Sequence, residues 1–166
     1  DQIDAAADRL FRAEATGRQC GLLSIDYPGM TLDDAYAVQA ALVARRRAAG
    51  ARVIGWKIGL TSRAMQSALN ITTPDSGVLL DDMLFADGAT IPQGRFIQPR
   101  IEVEIAFVMK APLKGVQVTR DDVLAATDHV APSLEIRQAL GQALLFGRLA
   151  LALSASLLGL VRGEGL

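Results

Sequence analysis

The stretch RIEVEIAFVMK, residues 100–110, alternates apolar and charged residues with the period of a β-strand. On such a strand Ile101, Val103, Ile105 and Phe107 share one face, while Glu102, Glu104, Ala106 and Val108 share the other. Residues two apart on one face lie roughly 6.5 to 7 Å apart, a gap that two carboxylates close by leaning toward a common cation. Left alone they repel and raise each other's pKa. A hard divalent ion removes that repulsion, and an all-oxygen donor set points to Mg²⁺ or Mn²⁺ rather than zinc. The plainer explanation is a half-exposed strand with a solvated outer face.

A third oxygen donor weighs toward the metal. In APSLEIR, Glu135 interrupts a short apolar strand after a proline, where a solvated carboxylate is less expected. A second cluster is GWKIGLTS, in which Lys57 lies between Trp56 and Ile58 and is flanked by Gly55 and Gly59. These neighbours are expected to desolvate the ammonium and lower its pKa toward an acid/base value; a lysine snorkelling at a strand edge is the bland alternative. Asp75 in PDSG is the third candidate, and its default role is to cap a turn. His129, the only histidine, reads as a packed or surface residue, and Cys20 has no visible base partner.

With 166 residues the chain has room for one domain with a sizeable core. Its 17 basic and 18 acidic side chains nearly cancel, so no general attraction to nucleic acid or an anionic membrane is expected. The first residues, DQIDAAADRLFRAEATG, lack the basic-then-apolar layout of a secretory signal, and one cysteine cannot form an internal disulfide, so a cytoplasmic location is expected. Residues 143–161 approach the length of a membrane span, but Arg148, Ser154 and Ser156 interrupt them.

Residues 2–15 have the spacing of an amphipathic helix. A loop marked by DYPGM follows, then a helix from Thr31 as N-cap to the run Arg45, Arg46, Arg47 before Gly50. From residue 51 strands predominate: RVIGWKIGL, GVLLDDMLF, IQPRIEVEIAFVMK and a short VAPSLEI, with helices at SRAMQSALN and after Thr119, and a turn at TTPDSG. This order argues for an α+β fold. It divides into an N-terminal helical region (1–50), a β-rich catalytic region (51–136) and a divergent Leu/Ala-rich tail (137–166).

Together GWKIGLTSRAMQ, TPDSGVLLDDM, FIQPRIEVEIAFVM and APSLEI resemble the hydratase/decarboxylase branch of the fumarylacetoacetate hydrolase-like proteins. The resemblance implies a mixed β-roll after the helical region, incomplete here because nothing beyond Glu135 matches the family. It implies Glu102, Glu104 and Glu135 as ligands of Mg²⁺ or Mn²⁺, Lys57 and Asp75 as catalytic groups, and a small 2-oxo acid as substrate. The expected reaction is hydration of 2-oxo-hept-4-ene-1,7-dioate in meta-cleavage degradation of aromatic compounds, by a homo-oligomer. A decarboxylase or pentadienoate hydratase of the same branch is the alternative; a truncated, non-catalytic interaction partner is the alternative of another class. Arg63 and Arg100 are candidates to hold a distal carboxylate, on charge and location. One departure is Ser76, standing where the family has an aromatic.

Overall fold

The computed structural model describes residues 1–68, 70–138 and 156–157. The tail and the 143–161 segment therefore lie almost wholly outside the described residues. No helix among the described residues is long and apolar enough to cross a membrane.

Helix α1 (Gln2–Thr16) starts where the Asp1 side chain accepts the Asp4 N–H, and stops at Gly17, whose φ of 64° places it in the left-handed region. A single helical turn, α2 (Leu23–Asp26), precedes the Pro-Gly loop. Helix α3 (Leu32–Ala48) opens with a reciprocal capping box between Thr31 and Asp34; these bonds hold the Asp34 carboxyl below its ordinary pKa. Helices α1 and α3 pack together, burying Ala6, Ala7, Leu10, Ala13, Val38 and Leu42, with Leu23 of α2 closing the cluster. Each of the larger side chains contributes about 1.5–3 kcal/mol by leaving water. Charges tie the rim: Arg9 bonds Asp26 at 2.6 Å, and Arg46 bonds Glu14 at 2.7 Å while also reaching Asp82.

Two antiparallel strand pairs follow. Strand β1 (Val53–Gly59) leads through α4 (Arg63–Ala68) to β2 (Asp75–Leu80), which pairs back onto it. The expected turn at TTPDSG is shorter than its composition suggests: Asp75, Ser76 and Gly77 are already strand residues, opposite Gly59, Ile58 and Lys57. The expected strand over GVLLDDMLF ends at Leu80, because Asp81 turns to accept the backbone N–H of Arg52 at 2.9 Å and a 3₁₀ turn covers Asp81–Met83.

Strand β3 (Arg100–Met109) pairs through its length with β4 (Thr127–Arg137), which the capped helix α5 (Arg120–Ala126) introduces. The last strand is thus 11 residues long rather than the short VAPSLEI expected, with Pro132 tolerated inside it. A two-residue strand, β5 (Ser156–Leu157), pairs with Ile136 and Arg137. Leu80, Met83 and Phe96 form a second buried cluster against which Val43 of α3, Val78 of β2 and Ile136 of β4 pack, so this cluster joins the helices to both strand pairs.

The faces of β3 are the reverse of a solvated-Glu strand. Ile101, Val103, Ile105 and Phe107 are 68%, 82%, 68% and 53% exposed, whereas on the other face of this pair Ala131, Ser133 and Glu135 of β4 are buried. Glu102 and Glu104 stand on that less exposed face, partly open to solvent, and of the three carboxylates only Glu135 is buried.

Candidate metal centre

The register of the β3–β4 pair assembles the acidic cluster. Glu102 lies opposite Glu135 and Glu104 opposite Ser133, so the three glutamates occupy one face on adjoining rungs. Each offers a carboxylate oxygen within 4.8 Å of the other two. Glu135 is only 1% exposed, a costly place for a carboxylate without compensation. That compensation comes from Lys57 across the gap between the two strand pairs: its Nζ donates to Glu135 Oε1 at 2.9 Å. Arg137, two residues on along β4, donates from Nη1 to Glu102 Oε1. Glu104 feels the remaining strain. Its carboxyl is pushed up from the ordinary value, first by burial and then by the charge of Glu135, with Lys57 pulling the other way and Glu102 adding to the rise.

The environment of Lys57 differs from the one its sequence neighbours suggested. Trp56 and Ile58 lie on the opposite face of β1 and are 65% and 63% exposed, so they do not enclose the ammonium. Glycine does the work. A Cβ on Gly77, across the ladder, would sit 3.1 Å from Lys57 Cγ, and one on Gly59 would sit 2.2 Å from Asp75 Oδ1. Each of these two candidate side chains thus lies over a glycine of the facing strand, and Lys57 and Asp75 share the inner face as diagonal neighbours. Asp75 Oδ1 is buried and has no hydrogen-bond partner among the described residues.

Sequence reasoning missed what holds Asp75 in place. On α3, Tyr36 and Gln39 lie three residues apart and so on one face; the Tyr36 hydroxyl accepts the Ser76 N–H and Gln39 Nε2 donates to the Ser76 carbonyl, both at 3.2 Å. The free edge of β2 is therefore clamped by backbone contacts next to Asp75, whatever the side chain at 76. The signal was a polar pair at helical spacing, which by itself names no partner. Arg63 at the start of α4 and Arg100 at the start of β3 are exposed; among the described residues neither is hydrogen-bonded or ion-paired to the cluster. His129 is bonded to Asp128 and lies outside the glutamate group, as does Cys20, which the helical core partly covers.

The donor set fits a hard divalent cation. All three donors are carboxylates, the oxygen-only set that a cation such as Mg²⁺ takes, and they already lie within 4.8 Å of one another.

Known proteins resemble the chain over most of its length, and one solved neighbour holds magnesium. No family model matches the chain. It is 53% identical over 130 residues to the 2-oxo-hept-4-ene-1,7-dioate hydratase of Escherichia coli, a match covering 78% of this chain and 49% of the relative. It is 46% identical over 136 residues to the 2-hydroxyhexa-2,4-dienoate hydratase of Comamonas testosteroni, covering 81% and 52%. Among solved structures, 4-oxalocrotonate decarboxylase from Pseudomonas putida G7, complexed with magnesium and adipate, superposes with a TM-score of 0.88 at 35% identity, covering 98% of this chain and 62% of that one. The chain spans about half the length of the curated relatives it matches. Over that span it is homologous to these hydratases and to the decarboxylase.

Proposed function

We propose that this chain carries the metal-binding part of a divalent-cation-dependent hydratase acting on 2-oxo-alkenoates, with 2-oxo-hept-4-ene-1,7-dioate as substrate. The observation that carries the proposal is the convergence of Glu102, Glu104 and Glu135 within 4.8 Å on the inner face of one strand pair, with Lys57 bonded to the most buried of them. These three residues would hold Mg²⁺ or Mn²⁺. When bound, the cation supplies electrophilic pull on the keto oxygen and carboxylate of a 2-oxo acid.

The chain's own residues handle the protons. Asp75, through its unpartnered Oδ1, takes a proton from C3 while Lys57 Nζ gives one to C5, which moves the double bond from C4–C5 to C3–C4. Water then adds: its oxygen bonds to C4, the amine of Lys57 takes its proton, and Asp75 returns a proton to C3. Both groups finish as they began. The Tyr36 and Gln39 clamp keeps Asp75 oriented, and the exposed guanidinium of Arg63 or Arg100 holds the distal carboxylate. Association of the outward apolar strand faces into a homo-oligomer is part of the same reading.

The test is hydration of 2-oxo-hept-4-ene-1,7-dioate with and without Mg²⁺. Activity is expected to need the ion and to vanish in Glu104→Gln; full turnover in excess chelator overturns the proposal. The close superposition on 4-oxalocrotonate decarboxylase favours decarboxylation as a second reading, in which the same cluster serves loss of CO₂. Release of CO₂ from 4-oxalocrotonate, measured beside water addition, separates the two. The exposed strand faces favour a non-catalytic binding role if neither reaction occurs.

A further inference from the structure

Resting on the reading of the glutamate cluster as a divalent-cation site, we propose that Arg137 is a built-in competitor for that cation, whose guanidinium occupies Glu102 and sets the ion concentration at which the site fills. Arg137 closes β4, opposite Arg100 and two residues beyond Glu135, so it stands on the same face as the cluster and diagonal to Glu102. Its Nη1 donates directly to Glu102 Oε1. With Lys57 on Glu135, two of the three carboxylates already hold a cationic partner; among the described residues Glu104 has no ion pair.

The two cations differ in how freely they can leave. The Lys57 side chain is 17% exposed and its carboxylate 2%, so parting them would strand buried charge. The Arg137 side chain is 31% exposed and Glu102 41%, so the guanidinium can swing to water at little cost. A guanidinium also stays charged over the whole working pH range, so protonation cannot relieve the competition. Ion binding therefore trades the Arg137–Glu102 contact for an ion–Glu102 contact, and each event weakens the other by the same factor. Arg137 thereby raises the ion concentration needed to fill the site, with Glu102 held in place for the exchange.

The test uses the full chain, titrated with Mn²⁺ while free ion is followed by electron paramagnetic resonance, and with Mg²⁺ by calorimetry. Arg137→Gln is expected to lower the dissociation constant by about fivefold or more, the lower end of ordinary coupling between two binding events. Arg137→Lys, which keeps the charge, is expected to stay near the unsubstituted protein. Unchanged or weaker binding in Arg137→Gln overturns this inference and leaves the metal site standing; no binding by any of the three proteins overturns both. Because Arg137→Gln could disturb the end of β4, the unsubstituted protein supplies an independent measurement. The Arg137 side-chain N–H resonance is expected to move as Mg²⁺ saturates the site, and a resonance that does not move overturns the inference.

Discussion

Along α1 and α3 the apolar positions are the buried ones: Leu10 is 3% exposed and Val38 0%. Along β1 and β3 the assignment is inverted. Ile54, Trp56, Ile58, Ile101, Val103 and Ile105 face outward, while Lys57, Glu102, Glu104 and, on β4, Glu135 face inward. The helical pair stabilises itself in the ordinary way, by removing hydrocarbon from water. The strand pairs devote their inner face to charges that must neutralise one another, and leave their hydrocarbon available to a covering surface. Apolar burial and inward-facing charge are thus concentrated in different parts of the molecule, joined through the Leu80, Met83 and Phe96 cluster.

The sharpest way to probe this division is to damage each side in turn. Leu10→Ala opens a cavity in the helical core and is expected to cost about 2–5 kcal/mol, read from the midpoint of chemical denaturation. Gly59→Ala strikes the other side. Its new methyl would meet the Asp75 carboxylate at 2.2 Å, and the displaced acid is expected to lower kcat about a hundredfold with the denaturation midpoint changed far less than in Leu10→Ala. Thr31→Ala removes the α3 cap and is expected to cost about 1 kcal/mol; because α3 also clamps Ser76, turnover should fall somewhat with it.

Glu104→Gln should divide the two properties outright. The folded carboxyl titrates above its unfolded value, so the native state holds the proton more tightly. Its contribution is full below the ordinary glutamate pKa and is lost as pH rises through the folded one. Without added ion, stability should therefore decline across that window, and Glu104→Gln should remove the decline while abolishing metal binding; an unchanged slope in thermal unfolding followed against pH contradicts this. The smallest expected effect is that of Val103→Ser, at 82% exposed: less than about 0.5 kcal/mol. A loss comparable to Leu10→Ala would mean that this face is covered in solution, and sedimentation would show by what.

Which of these features the sequence could disclose follows from what each depends on. Local signals were sufficient for α3, where Thr31, Asp34 and the three arginines mark both ends. Period-two alternation was sufficient to group Glu102 with Glu104. It could not say which face of β3 turned inward, because that depends on Lys57, which lies far from them in the chain and neutralises Glu135. Glu135 was suggested as a third donor by its place in APSLEIR and by the family motifs, but the register that brings it opposite Glu102 is a tertiary property. Asp75 was misplaced into a turn because Pro74 and Gly77 carry turn chemistry, whereas the glycine is there to admit Lys57. The Tyr36 and Gln39 clamp depends on backbone groups of Ser76, which side-chain identities do not reveal.

The bond between Lys57 and Glu135 also bears on the order of folding. It joins residues 78 apart in the chain, and nothing local favours it until both strand pairs exist. Closing so long a segment is entropically slow compared with forming α1 and α3. The helical core can therefore be in place while the inner face is still open, with the glutamates repelling one another and the apolar strand faces exposed. Association or aggregation during synthesis competes in that interval, before Lys57 and Glu135 meet.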